Sequence, residues 1–534
     1  MSRFRPHPSL KQELSSDQKK IRSFVVIAGL VILVGVVAGI LVWLFFSSKN
    51  FSTASLTPID SELYMKLEWR ESSQQNTNLN NLSLSLGGPT TIDDFLHLMI
   101  PSKFGNTAVN FQSDIAPWIS DDVAIVRRHL GNKDEDIKLF VASDKDKEQA
   151  FLDKITREAD TTAKESYKGY QIESLFGTAQ VAYAQIGNTV AFAGKPQVLH
   201  DVIDVAVGDT KPLTKASDFK VTQQHLDTNV VLSTFMDIAP FLRQPGVLGL
   251  SESAALSLSG KARVGITMAA KENGFGLQIF IPSPAKDGVK NNFNNDILAV
   301  TPNNIAGYIG ASDLSSFAKQ YLATIFNVKE LKDHNITQDT IRSKYGVDLD
   351  QDLFSWMQGQ YALVSTELGK SDFALIFKVD NKDQTQAAMR KVEKAIVGIS
   401  KELSKEPDKI PSEFSESAGA RYLALGGKTN TYLNYTFKDN FLIFATNRET
   451  LDLVVKGNEG QPKLLNSKQY ELVTKDLPSG NASGGLYFSG DFVLGFLKSL
   501  GFNLSAFNRH VVGLGIKSIN ETDGKMITGF LPIL

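Results

Sequence analysis

The 534-residue chain contains no cysteine. That absence excludes disulfides, thiolate zinc sites, iron–sulfur clusters, a cysteine nucleophile and a lipidated cysteine anchor. Net charge is small as well, with 56 basic against 58 acidic residues. A chain without a basic surplus lacks the charge that neutralises phosphates, so nucleic acid is not expected as a partner. Histidine is scarce. The seven (His7, His97, His129, His200, His225, His334, His510) include no pair three or four residues apart, so no helical zinc pair is present. The sequence also has no Walker-type phosphate loop and no dinucleotide fingerprint after a strand.

A local absence is more informative. Residues 23–46 carry no charge, and Phe24 to Phe46 is an unbroken, mostly apolar run. As a helix it would extend about 35 Å at ~1.5 Å per residue. A hydrocarbon core is about 30 Å thick, so the run spans it with modest tilt. Six basic residues precede it (Arg3, Arg5, Lys11, Lys19, Lys20, Arg22) against Glu13 and Asp17, and only Lys49 follows closely. The positive-inside rule therefore keeps residues 1–22 in the cytoplasm and exports the remainder. The run exceeds the ~7–15 apolar residues of a cleaved signal peptide, and no A-x-A site follows it. A cysteine-free exported region of this size points to a bacterial envelope protein rather than a secreted animal one.

Apolar residues make up 42% and charged residues 21% of the chain, a globular balance. Within it lies a collinear series of matches. Asp114 and Trp118, followed by Val123–Val126, correspond to Asp352 and Trp356, followed by Tyr361–Val364. Pro58 and Tyr64 correspond to Pro302 and Tyr308; Tyr183 and Val190–Ala193 to Tyr435 and Leu442–Ala445; Asp237 to Asp491. The offset drifts slowly, as loop insertions would make it. The expected organisation is therefore a tail (1–22), a transmembrane helix (23–46), a short linker (47–54), one repeat (55–283), a linker (284–296) and a second repeat (297–534).

Each repeat is expected to be α+β. Leu63, Met65, Leu67 and Trp69 alternate with polar residues, the period of a half-buried strand. A short helix follows (Ile92–Ile100; Leu314–Ile325), then two strands (Asp122–Arg127 and Ile137–Ala142; Gln360–Thr366 and Phe373–Val379). A helix comes next. In the second repeat it covers about Gln384–Leu403, with Val392, Ala395, Ile396 and Ile399 on one face. Asp383 is its expected cap, and Asp144 or Asp146 that of its counterpart. Three strands and a helix (Gln197–Val207; Glu449–Lys456) complete the pattern. Asn273-Gly274 and Asp523-Gly524 predict tight hairpins between the last two strands. Short connections imply a mostly antiparallel sheet with helices on one face.

The anchor followed by Leu56-Thr57-Pro58 and Tyr64, the stretch Gly346-Val-Asp-Leu349 leading to Asp352 and Trp356, and the duplicated strand–helix units resemble a bacterial family catalogued as a domain of unknown function (DUF thirty-three fifty-two). The resemblance implies an anchored envelope protein. It brings no assigned reaction, cofactor or active-site residue.

Candidate chemistry is sparse. Asp348-x-Asp350-x-Asp352 opens like a calcium loop, but Leu353 stands where the loop needs glycine and Gly359 where it needs glutamate. Ser217/Lys220 and Ser316/Lys319 have the Ser-x-x-Lys spacing of penicillin-recognising enzymes without their companion elements. Ser483 is flanked by glycines, as a serine nucleophile can be, with no identifiable His–Asp partner. No catalytic, cofactor-binding or metal residue is therefore assigned. The 33 phenylalanines are expected mainly in cores, with a groove for an apolar or peptide ligand as the functional alternative. Gly246–Leu250 and Leu497–Phe502 are apolar, Gly-containing segments suited to a partner or membrane contact if exposed. The function expected from all this is a non-enzymatic binding or scaffolding module anchored in the envelope, its partner an envelope protein, lipid or polymer. An envelope hydrolase assembled from distant residues is the alternative.

Overall fold

The computed structural model describes residues 52–67, 73–85, 103–104, 106–130, 133–238, 263–284, 291–326, 329–366, 372–404, 407–411, 413–417, 419–424, 432–456, 462–499 and 511–534. The tail, the apolar run 23–46, the Ile92–Ile100 helix and the Gly246–Leu250 segment lie outside the described residues, as do 500–502 of the second apolar segment. Among the described residues no helix is long and apolar enough to cross a membrane. The chain divides into two compact units. One comprises residues up to 277 with 497–510 and 533–534, the other 278–496 with 511–532.

The first unit opens with α1 (Ser52–Leu56), β1 (Leu63–Leu67) and α2 (Gln74–Ser85). A small ribbon, β2 (Lys103–Phe104) and β3 (Thr107–Ala108), precedes β4 (Ile119–Leu130) and β5 (Lys133–Ala142). Then come α3 (Lys145–Arg157), β6 (Thr161–Tyr167), β7 (Tyr170–Phe176), β8 (Val181–Ile186), β9 (Thr189–Ala193) and α4 (Pro196–Val207). The unit finishes with α5 (Ser217–His225), β10 (Leu232–Asp237), β11 (Arg263–Lys271) and the start of β12 (Gly274–Pro282). The strands lie side by side in the order β11-β10-β1-β4-β5-β9-β8-β7-β6, each antiparallel to its neighbours.

The second unit contains β13 (Gly307–Ser312), α6 (Ser315–Ile325), α7 (Lys329–Asp333), α8 (Gln338–Tyr345), β14 (Gln360–Ser365) and β15 (Phe373–Lys378). The long α9 (Lys382–Leu403) leads to β16 (Ser415–Ser417), β17 (Ala420–Ala424), β18 (Tyr432–Lys438) and β19 (Phe441–Ala445). After α10 (Arg448–Lys456) and α11 (Lys468–Thr474) follow β20 (Gly484–Ser489), α12 (Gly490–Ser499), β21 (Gly513–Glu521) and β22 (Gly524–Pro532). The order is β22-β21-β20-β13-β14-β15-β19-β18-β17-β16, again antiparallel throughout.

Helices pack on both faces of each sheet, not one as expected, though in the second unit they leave part of one face uncovered. In the first unit Phe151 of α3 packs on Phe192, while Phe219 of α5 packs on Tyr64 and Phe235 from the opposite side. The reason is in the strands: β1 buries Leu63, Tyr64 and Leu67, so residues of both parities are covered. Four strands, not three, follow each crossover helix, because β6–β7 and β16–β17 are separate hairpin arms. In the first unit Asp144 caps α3 as expected, its Oδ1 accepting the Lys147 N–H at 3.1 Å. Asn381 rather than Asp383 caps α9, accepting from Gln384 N–H at 3.0 Å, so the helix starts two residues early.

The last hairpin forms where expected but turns differently. Glu521 opposes Gly524, so Thr522 and Asp523 form the turn, and neither has a positive φ. Gly524 answers a close approach instead: a Cβ there would lie 2.3 Å from Phe280 Cζ and 2.7 Å from the Ile281 carbonyl. A turn with both central residues left-handed is Lys168-Gly169 (φ 48° and 86°) between β6 and β7.

Candidate functional site

Directly opposed residues of neighbouring antiparallel strands share a face, so the registers chain into rows that cross a sheet at about 4.8 Å per strand. In the second unit one row reads Ile516, Leu486, Ile309, Leu363, Leu375, Phe444, Tyr435, Arg421, Glu416. In the first unit the corresponding row reads Ile266, Thr234, Met65, Ile125, Lys138, Phe192, Tyr183, Glu173, Lys164. Each begins with mostly apolar residues (Thr234 and Lys138 interrupt the first), passes a phenylalanine and a tyrosine, and ends on an ion pair of opposite polarity.

The polar ends are fully engaged. In the second unit Glu393 of α9 is only 5% exposed. It accepts from Arg421 Nε at 2.7 Å, from Arg421 Nη2 at 2.6 Å and from the Tyr435 hydroxyl at 2.6 Å. Burial opposes ionisation of Glu393, but the Arg421 and Tyr435 hydrogen bonds prevail and hold its carboxyl below the usual value. The Tyr435 phenol is pushed well up, first by burial and then by its bond to Glu393. In the first unit Tyr183 donates to Glu173 at 2.7 Å and lies 3.1 Å from the Thr156 hydroxyl, while Lys164 pairs with Glu173 at 2.9 Å.

A second station recurs beside each row. Asp114 accepts the Asn110 N–H at 2.9 Å and pairs with Lys154 at 2.6 Å, and its carbonyl takes the Trp118 indole N–H at 2.8 Å. Asp352 accepts the Asp348 N–H at 2.9 Å and pairs with Lys391 at 2.9 Å, and its carbonyl takes the Trp356 N–H at 3.0 Å. Each tryptophan is thereby fixed in an aromatic layer, Trp118 against Phe140 and Phe151, Trp356 against Phe377 and Phe444. These stations orient and lock; nothing in them is left free to react.

The aliphatic halves differ in exposure. In the first unit Ile266, Thr234 and Ile125 are buried, and the adjoining row Met268, Leu232, Leu67, Val123, Phe140 is buried throughout. In the second unit Ile516, Leu486 and Leu363 are only half-buried, Ile309 is 37% exposed and nearby Phe373 is 43% exposed. Met65, the counterpart of Ile309, is half-buried, so the face is largely closed in the first unit and half open in the second. Two lysines adjoin these faces. Lys138 replaces an aliphatic residue in the first row, and burial lowers its pKa while Asp136 pulls the other way. Lys525 of β22 is on the open face, four residues along from Gly529, which opposes Ile516. Burial lowers its pKa too.

The residues singled out in the sequence fall elsewhere. Asp348 pairs with Arg342 and caps the turn that follows, accepting from Asp350 and Gln351 N–H. Asp350 pairs with Lys319, and Asp352 with Lys391, so the three carboxylates diverge to three cations. Lys319 is thus turned away from Ser316, whose hydroxyl donates to Asp313. Ser217 begins α5 with Lys220 one turn on, and both are exposed. The Ser483 hydroxyl meets that of Ser518, at 3.0 Å. His200 lies against Tyr167 and 2.7 Å from Glu165. His7, His97 and His510 lie outside the described residues. Among the described residues no cluster of three or more His, Asp or Glu could hold a metal. Sequence reasoning missed Glu393 and Arg421, although a glutamate between Met389 and Val397 in the apolar stripe of α9 was a visible signal.

Three solved chains match the protein. One, titled "Structure of crystal form I of TP0453", aligns at 10% identity with a TM-score of 0.27, over 47% of this chain and 84% of that one. No curated protein matches significantly. The family model described as "Protein of unknown function (DUF3352)" matches residues 26–411, and the chain belongs to that family.

Proposed function

We propose that this member of the DUF3352 family is a membrane-anchored, extracytoplasmic binding protein built from two copies of one α+β unit, and that it acts through the half-open sheet face of the second copy. The anchor is the apolar run 23–46, and its flanking charges argue for an exported C-terminal bulk. The common strand order, the paired Asp–Lys–Trp stations and the position-by-position match of the two rows support the duplication. Duplicates that keep their frame and differ in one surface divide labour: one copy closes the face and stabilises, the other leaves it open. The observation that carries the reading is the exposure of Ile309 in the centre of its sheet, flanked by aliphatic neighbours on both strands. Apolar side chains in mid-sheet are ordinarily covered, and a contiguous open patch marks an interaction site.

The test places a photoreactive benzoylphenylalanine at position 309 of the full chain in intact cells. Leu84, 63% exposed on α2, is the reference position. The reading predicts an adduct from 309 and none from 84. Adducts from neither, or equally from both, contradict it.

A further inference from the structure

The open face ends on a charge, Lys525, that no described residue pairs with. Along β21 the residues of that face are Ile516, Ser518 and Asn520, and along β22 they are Gly529, Ile527 and Lys525, set opposite one another. The face is therefore aliphatic across Leu363, Ile309, Leu486 and Ile516, meets Ser518 opposite Ile527 two residues further along, and turns polar at Asn520 and Lys525 four residues along. The Ser518 hydroxyl is taken up by Ser483. Lys525 is half-buried and has no ion pair among the described residues. Holding a cation partly out of water without a partner costs free energy, and an anion seated beside it would recover that cost.

The dimensions are those of one lipid chain. Ile309 and Lys525 are three strand spacings and four residues apart, or about 20 Å across the sheet. A bilayer core of about 30 Å holds two acyl chains end to end, so one chain covers about 15 Å, and the lysine stem bridges the rest. A protein partner of the same patch would leave Lys525 unexplained; a fatty acid uses both ends.

We propose that the second unit seats a long-chain fatty acid, its aliphatic chain along Leu363, Ile309, Leu486 and Ile516 and its carboxylate on Lys525. This rests on the binding-face reading above and names the ligand class for it. The carboxylate forms a charge-assisted hydrogen bond with the ammonium, and Asn520 stands opposite as a second polar neighbour.

The experiment uses the full chain in native membranes and a sixteen-carbon fatty acid bearing a photoreactive diazirine on its chain. The matching alcohol is run in parallel, and adducts are mapped by peptide mass spectrometry. The acid is expected to label peptides of β13, β14, β20 or β21. Lys525→Ala should lower that labelling about tenfold, the worth of one hydrogen bond to a charged group. The alcohol should label weakly and be indifferent to Lys525→Ala. Unchanged trypsin resistance of the variant shows that it folds. Equal labelling by acid and alcohol, labelling indifferent to Lys525→Ala, or labelling confined to residues 24–46 overturns the proposal. If the acid labels nothing while benzoylphenylalanine at 309 still forms its adduct, the fatty acid falls and the binding face stands. If neither forms an adduct, both fall.

Discussion

Glu393 shows how a single residue can be charged and structural at once. It is on the buried stripe of α9, where a neutral side chain would be the cheaper choice, yet three hydrogen bonds from Arg421 and Tyr435 hold it ionised. Replacing it by Gln leaves Arg421 partly buried with only the longer, more exposed pair to Glu416, at 3.4 Å, as counter-charge. Glu393→Gln is therefore expected to lower the stability of the second unit by about 3 kcal/mol, read as a shift in urea midpoint. The sign of the pH dependence follows from the depressed carboxyl. Its contribution is complete above the unfolded glutamate value of about 4.3 and is lost as pH falls through the lower folded-state value. The urea midpoint should accordingly drop between neutral and acid pH in the native chain and drop less in Glu393→Gln. An unchanged pH profile would mean that the carboxyl contributes nothing through its charge. None of these partners was legible beforehand, since Glu393 and Arg421 are joined only by the fold. Tyr183 and Tyr435 were visible as a matched pair, but their roles as hydrogen-bond donors were not.

At the scale of elements, small residues decide how close helices come to the sheet. A Cβ on Gly515 would lie 2.3 Å from the Val473 carbonyl of α11, and one on Gly265 would lie 2.0 Å from Thr222 Cγ2 of α5. The two glycines occupy matching places, opposite Tyr487 and Phe235. The backbone carbonyl cannot move aside as a side-chain methyl can, so Gly515→Ala should cost more than Gly265→Ala. The expected losses are within the range of about 1–3 kcal/mol for overpacking, measured by thermal or urea unfolding. A reversed order would place the rigidity elsewhere. Asn381→Ala removes the cap of α9 and should cost about 1 kcal/mol by the same assay, whereas Asp383→Ala should be near neutral.

Much of the element pattern could be read in advance. The strands around Ile125, Leu139, Ala362 and Ile376 and the helices after them follow from apolar runs and periodicity. The cap of α9 and the final turn were each misplaced by one or two residues, because Asn381 and Asp383 both suit a cap and Asp523-Gly524 suits a turn it does not make. The second covered face was hidden for a different reason. Tyr64 and Lys66 look like the polar half of an alternating strand, and both are buried.

For the whole molecule, the proposal joins an anchor, a closed unit and an open one. The absence of cysteine makes the sidedness simple to examine, since any introduced thiol is the only one. A membrane-impermeant maleimide should label Leu84→Cys in intact cells and Ser9→Cys only after permeabilisation. The opposite pattern would invert the topology. The candidate binding face was the least legible feature of all. Ile309, Leu363, Leu486 and Ile516 come from four separate strands, and only their register reveals that they are neighbours.

The most direct measurement of the central claim is the rate at which Ile309→Cys reacts with the same maleimide. It is compared between native membranes and the purified full chain, with Leu84→Cys as the internal reference. An occupied face predicts that position 309 reacts at least about tenfold more slowly in the membrane, the protection given by an occupant present at some ten times its dissociation constant, while position 84 reacts alike in both. Equal rates at 309 in the two preparations would contradict the account.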